Sequence, residues 1–444
     1  MKKQVGIVLL YLITGIFASG QTRTIKLDEA IQMGIQNSRQ LKLSQQKIEE
    51  ALTKVEQARQ LTLPSAKWSA GYSHALMLTK KFNLPDAGGQ TPKALEFPFD
   101  LTLYQSTLSI NEPIFAGNQI RYAKQSADLL VKMSRLDSDR DRDDVIYTII
   151  EAYINYYKIR QSQKVAAQNL EDVDNRLTEI RKYEGQGLAT RNDVLRFQLQ
   201  KSNIQLTVFE LESNRKIANY SLNILLGLPD STGLNVEPLS HELDSNTPID
   251  DYLRQVLSDR KELGSLDYQN QLDSVNIKKI RDAKLPTVGL GGSLYYINPS
   301  KDLIPKSGSF LAPFVIGLNV SWDISSLYKT RQKVQEARIQ QQEVATRRDA
   351  FSDAIKTEVY ADYMKYQQAL QRIGVLEESV VEATENERIM LSKFRNNLAT
   401  TTDQIDALTI LYGQRISLEL AKADATLAYY NLLNATGHIQ PQTH

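Results

Sequence analysis

Cysteine is absent from all 444 residues, and histidine occurs only four times. The first absence excludes disulfides, thiolate metal sites, a cysteine nucleophile and an acylated N-terminal cysteine. The histidines, His74, His241, His438 and His444, are scattered without ligand spacing, so no metal site is expected and no cofactor is implied. A charge excess of one sign is also missing: 53 basic residues face 52 acidic ones, which offers nucleic acid no basic surface. No nucleophile with a matched base and no Gly-rich phosphate loop stands out, so the chain does not read as an enzyme. Beyond residue 20 there is no run of about eighteen apolar residues, which excludes a membrane-spanning helix. If the protein enters a membrane, strands must carry it there.

Lys2-Lys3, the apolar stretch Val5 to Phe17 and the small residues Ala18-Ser19-Gly20 read as a secretory signal peptide over residues 1–20. What the remainder holds is the same text twice. Leu27 to Pro64 recurs as Ile249 to Pro286, and Leu108 to Gly227 recurs as Leu318 to Gly437. The matches pair Asp28 with Asp250, Arg59 with Arg281, Arg121 with Arg331, Asp193 with Asp403 and Gly227 with Gly437. A repeat of this size is a duplicated domain rather than a solenoid unit. It divides the chain into a first repeat (21–227), a connector (228–248), a second repeat (249–437) and a short tail (438–444).

Each repeat reads helix, hairpin, very long helix, helix. Residues 28–63 form the first helix candidate, with acids in the opening turn and Pro64 as the stop. Trp68, Ala70, Tyr72, His74 and Leu76 then alternate with small or polar residues, the two-residue period of a strand at about 66–77. Its partner runs over about 99–111, with Pro113 ending the pairing and a breaker-rich loop from Lys80 to Pro98 between them. From about 117 to 184 no proline or glycine interrupts a helix, and Val145, Ile149, Ala152, Tyr156 and Ile159 repeat at coiled-coil spacing. At 1.5 Å per residue such a helix is about 100 Å long. The second repeat supplies strands at about 287–297 and 313–323 and a long helix at about 328–395.

The strands decide what the chain can be. A tilted strand of about ten residues crosses the apolar layer of an outer membrane, yet each chain offers only four. An open sheet would leave main-chain groups unpaired in lipid, so copies from other chains must close it. Two copies give eight strands around an interior filled by side chains; three give twelve and room for a pore. Trp68, Tyr72, Tyr296 and Trp322 are available as interfacial anchors, while Ser293, Gly317, Asn319 and Ser321 suit a wet lumen. The competing readings are a sheet edge on a water-soluble protein and an exported coiled-coil scaffold without a pore.

Ser109 to Gly117, reading SINEPIFAG, resembles the strand-end segment Gln-Pro-Leu/Ile-Phe-x-Gly of the TolC-like outer-membrane factors, with Glu112 in place of the usual Gln. Tyr183 to Leu195, and its counterpart Phe394 to Asp406, resemble the helix junctions of the same family, the outer membrane efflux proteins of tripartite pumps and type I secretion systems. The resemblance spans essentially the whole mature chain. It implies a mainly α fold with a small β part: a homotrimer forming a 12-stranded outer-membrane barrel, continued by a periplasmic α-helical barrel of coiled coils. Residues 228–248 and the tail would form an equatorial belt. The implied function is a passive exit duct set in outer-membrane lipid and opened at its periplasmic end by an adaptor (membrane fusion) protein and an inner-membrane transporter.

The resemblance also assigns residues. Gly187-Leu188-Ala189 and Asn397-Leu398-Ala399 are the turns expected to meet the adaptor. Asp403 and Asp406, three apart on one helix face, match the family's aspartate constriction, which favours cations; clustering of carboxylates would raise some of their pKa values. Asp193 matches the aspartate that ties the closed state to a tyrosine and an arginine, but Phe394 and Ala399 stand at those two positions. Arg191 is a candidate replacement cation.

Overall fold

The computed structural model describes residues 22–76, 81–84, 93–96, 100–238, 247–299 and 311–439. The signal peptide, His241, His444 and part of the connector lie outside them. The first repeat forms β1 (Thr22–Ile25), α1 (Leu27–Asn37), α2 (Arg39–Gln60), β2 (Ser65–Leu76), β3 (Lys81–Leu84), β4 (Lys93–Glu96), β5 (Asp100–Ala116), α3 (Gln119–Gly185) and α4 (Arg191–Leu226). After β6 (Gly233–Val236), the second forms α5 (Ile249–Asp259), α6 (Lys261–Asp282), β7 (Thr287–Pro299), β8 (Phe314–Ser321), α7 (Ser326–Arg395) and α8 (Thr401–Thr436). The long helices α3 and α7 have 67 and 70 residues, in line with the uninterrupted sequence.

The chain divides into two units, one holding residues 1–45, 136–263 and 350–444, the other residues 46–135 and 264–349. In the first, the coiled-coil stripe becomes the core: Val145, Ile149 and Tyr156 are buried with Ile25, Ile31, Leu222, Leu226 and Leu234. The parallel pair β1–β6, unforeseen in the sequence, is pinned to this core by side chains from the helices. The Tyr153 hydroxyl lies 3.0 Å from the Ile25 carbonyl, Tyr156 donates to Leu234 O at 2.6 Å, and Asn219 bonds both Thr232 O and Leu234 N at 2.8 Å. Burial raises the Tyr153 hydroxyl well above its ordinary pKa, as an apolar surround disfavours the phenolate.

The helix candidate 28–63 is two helices. Ser38 breaks it with an extended backbone and receives Leu41 N–H on its Oγ, which makes it the cap of α2. Just before it, Asn37 donates to Leu226 O, a bare carbonyl at the end of α4. The second repeat breaks at Arg260, whose guanidinium reaches Ala435 O near the end of α8 as well as Glu262 and Glu358. Both breaks arise where a side chain satisfies a neighbouring helix end, a tertiary demand with no proline or glycine to announce it.

In the second unit the antiparallel sheet runs β2-β5-β7-β8. The registers Trp68 with Leu108, Leu108 with Leu294, and Leu294 with Phe314 place these apolar residues on one face. Ser69, Thr107, Tyr295 and, on β8, Gly317, Asn319 and Ser321 share the opposite one. Pro113 does not end pairing: β5 continues to Ala116 against β7, with a register shift between Pro113 and Phe115. Beyond Asn111 the β2 side of β5 is open, and a residue without an N–H is tolerated at such an edge and at a bulge. Within the loop between β2 and β5, the short strands β3 and β4 pair with each other. Trp322 falls just past the end of β8, with its indole N–H on Lys284 O at 2.9 Å.

Candidate gate at the helix junctions

The two turns that join long to short helices are built alike. In the first, α3 ends at Gly185, Gly187 takes the left-handed conformation (φ 73°), and Leu188 N–H returns to Tyr183 O at 2.8 Å. In the second, Asn397 holds φ 58° and Leu398 N–H returns to Lys393 O, also at 2.8 Å. Left-handed backbone suits Gly and, among residues with a Cβ, Asn above most others. The consequence is a projecting leucine at each tip: Leu188 is 58 % and Leu398 76 % exposed. Ala189 and Ala399 are half-buried beneath them.

The short helices begin with reciprocal caps. Thr190 N–H and Oγ1 bond to Asp193 Oδ2 at 2.9 and 2.6 Å, and Asp193 N–H returns to Thr190 Oγ1 at 3.3 Å. Thr400 and Asp403 repeat the arrangement at 2.8, 2.7 and 3.2 Å. The spacing Thr-x-x-Asp is a capping-box signature, a local signal that could have marked both helix starts but was not singled out from sequence. Two hydrogen bonds from Thr400 hold the exposed Asp403 carboxyl below its ordinary pKa. In the single chain the shift is thus opposite in direction to the rise that clustered carboxylates would cause. Asp406, one turn on, is exposed.

Asp193 differs from Asp403 in having a second partner. Its Oδ1 accepts from the buried Thr401 hydroxyl at 2.6 Å, so the start of α4 is tied to the start of α8. Burial pushes its pKa up, but the bonds from Thr190 and Thr401 outweigh that and hold it low. Arg191 pairs with Glu184 at 3.7 Å rather than with Asp193. Phe394 packs against an apolar cluster that includes Val194, Phe197 and Leu408, which suits a ring without a hydroxyl. The contacts between the repeats continue with Arg196 on Thr402, Arg395 on Glu179, and a half-buried group in which Glu387 receives both Arg176 and the buried Gln404. Thr401, Arg196 and this ion network were not singled out from sequence, because no local pattern marks residues that meet across two hundred positions.

In the sheet unit, Trp68 is 70 %, Tyr72 64 %, Tyr296 42 % and Trp322 51 % exposed. Trp68 Nε1 donates to Ser106 at 2.9 Å, and the Tyr72 ring lies tilted against Tyr104 with centroids 5.0 Å apart. Phe314, Ile316, Leu318 and Val320 are also exposed, so the apolar face of the sheet is bare in a single chain. That is a surface for lipid rather than water.

A family model described as outer membrane efflux protein matches residues 30–228 and 252–438. The outer membrane efflux protein BepC of Brucella suis is 22% identical over 367 residues, which cover 82% of this chain and 77% of that protein. Among solved structures, the outer membrane protein VceC of Vibrio cholerae superposes with a TM-score of 0.71 at 16% identity, covering 93% of this chain and 97% of that one. The CmeC outer membrane channel of Campylobacter jejuni gives a TM-score of 0.73 at 16% identity, with 94% and 87% covered.

Proposed function

The chain belongs to the outer membrane efflux protein family and is an outer-membrane efflux duct with its helical part in the periplasm, and from this premise we propose how it assembles and opens. Three copies close their sheets into one 12-stranded barrel. The observation that carries this reading is the sheet order β2-β5-β7-β8, which leaves β2 and β8 without outer partners among the described residues. In lipid each unpaired main-chain group costs several kcal/mol, so two free edges cannot persist there. Eight strands would enclose only side chains; twelve leave a lumen for cargo.

The helices support the same closure. Leu199, Leu206, Phe209, Ile217 and Ile224 lie exposed along α4, and Tyr360, Met364, Val375 and Val381 along α7. These two stripes pack α4 of one copy on α7 of the next, as coiled-coil seams do. The equatorial belt is formed by β1, β6 and the segment around Ile439, which is buried in the same core. At the closed end, Asp403 and Asp406 line the entrance and favour cations. The tips carrying Leu188 and Leu398 receive the periplasmic adaptor, and an inner-membrane transporter supplies the energy and selects the cargo. Gly187 and Asn397 shape those tips; Trp68, Tyr72, Tyr296 and Trp322 anchor the barrel at the membrane surfaces.

Extraction and conductance test the reading together. The protein is expected to stay with the membrane in high salt and urea, to come off in detergent, and to form cation-preferring channels in planar bilayers. Release by urea alone would indicate the pore-free scaffold instead. Replacing Asp403 and Asp406 by alanine is expected to weaken cation preference; unchanged selectivity would remove those acids from the entrance.

A further inference from the structure

Within one chain, the start of α4 in the first repeat meets the start of α8 in the second through three pairs. They are Asp193 with Thr401 at 2.6 Å, Arg196 with Thr402 at 2.6 Å and Gln200 with Thr409 at 3.3 Å. A ring of such chains has a second seam, where the second repeat of one copy meets the first repeat of the next. Because the repeats correspond residue by residue, a ring in which the two repeats alternate can build that seam from the counterparts of the internal one. Asp193 is replaced by Asp403 and Thr401 by Arg191; Arg196 by Asp406 and Thr402 by Asn192; Gln200 by Ile410 and Thr409 by Leu199.

Each exchanged pair is chemically complementary: a carboxylate meets a guanidinium, a carboxylate meets a carboxamide, and isoleucine meets leucine. All six residues are exposed in the single chain. Leu199 is 66 % exposed, and Ile410, at 50 %, is the large apolar side chain that α8 leaves bare among the described residues. Arg191 is 69 % exposed and, among the described residues, is held by Glu184 alone, at 3.7 Å. Asp403 uses Oδ2 for its cap, and its Oδ1, the oxygen equivalent to the one Asp193 gives to Thr401, accepts no bond among the described residues.

Resting on the ring reading above, we infer that Arg191 of each copy binds Asp403 of the adjoining copy, with Asn192 on Asp406 and Leu199 on Ile410. Arg191 therefore offsets part of the charge that Asp403 brings to the entrance, and Asp406 carries the larger share of the cation preference. The two ion pairs that join α3 to α7 inside the chain, Arg176 with Glu387 and Glu179 with Arg395, have Leu177 and Gly185 among their counterparts. The seam between copies is the softer one and parts first when the duct opens.

The absence of cysteine makes the test direct. In the full-length detergent-solubilised protein, the pair R191C with D403C is oxidised and run on a denaturing, non-reducing gel. The monomer band is expected to be lost to two- and three-chain species that reductant dissolves, while D193C with T401C yields none. L199C with I410C is expected to behave like the first pair and guards against an effect of removing the charges. Particle stoichiometry by native mass spectrometry separates the outcomes. An intact ring with only monomers on the gel for both inter-copy pairs would overturn the contact and leave the ring standing; a particle that is not a ring overturns both.

Discussion

The first and second repeats share their helix lengths, caps and tips, yet their short helices treat apolar residues differently. Both α4 and α8 have 36 residues, a Thr-x-x-Asp box at the start and a left-handed glycine, Gly227 or Gly437, at the end. Along α4, Leu199, Leu206, Phe209 and Ile217 are exposed; along α8, Leu408, Leu411, Tyr412 and Leu432 are buried. A duplicated helix can therefore keep one set of folding instructions while α8 buries or half-buries nearly all of its large apolar side chains and α4 leaves several bare for a junction with a neighbour. The difference lies on the link from sequence to assembly, not from sequence to local structure.

The largest effect is expected from breaking that exposed stripe. Leu199→Asp with Leu206→Asp should abolish the multi-chain particle on native gels while circular dichroism still reports full helix content. A particle of unchanged size would show that α4 faces lipid-free solvent in the assembly.

Next is the site where α1 and α5 pack on the long helices. Gly34 stands where the second repeat has the fully buried Val256, and a Cβ at Gly34 would come within 2.2 Å of Ile149 Cδ1. Gly34→Val should destabilise by about 1–3 kcal/mol through overpacking, read as a lowered Tm. No change in Tm would mean that the first repeat can adopt the packing of the second.

A smaller effect sharpens the contrast between Asp193 and Asp403. Thr401→Val removes one of the three pairs that tie α4 to α8, and a hydrogen bond to a charged group is worth about 1.5–3 kcal/mol, reduced where water can substitute. The closed-state conductance should rise, whereas Thr402→Val, on the exposed face, should raise it less. Equal effects would deny Asp193 a special role.

The smallest difference is in pH. Asp193 and Asp403 both have pKa values below the ordinary 3.8. A carboxyl depressed in the folded state contributes stability that is complete above its unfolded pKa and lost as pH falls through the folded value. Relative to the intrinsic rate at each pH, hydrogen exchange at the starts of α4 and α8 should thus be unchanged from neutral pH to about pH 5 and accelerate in both below about pH 4. Acceleration confined to one helix start would show that the caps are not equivalent.

The sequence made the repeat, the long helices and the alternating strands legible because period and glycine or proline breaks are local signals. Boundaries of α3, β2 and β7 follow it closely. The breaks at Ser38 and Arg260 were not legible, since they answer carbonyls at Leu226 and Ala435 far along the chain. The strand pair β1–β6 escaped for a similar reason: four residues such as Gly233 to Val236 carry no period, and their place is set by Tyr156 and Asn219. At the junction, Thr-x-x-Asp spacing is a local signal that could have given the caps, whereas nothing local marks Thr401, whose partner Asp193 lies 208 positions away.

The central claim is that four strands per chain are closed by three chains. Single-particle electron microscopy of the detergent-solubilised protein tests it most directly. The account predicts a threefold particle with a twelve-stranded barrel continuous with a helical tube. A two-chain particle, or a single chain stable in water without detergent, would contradict it.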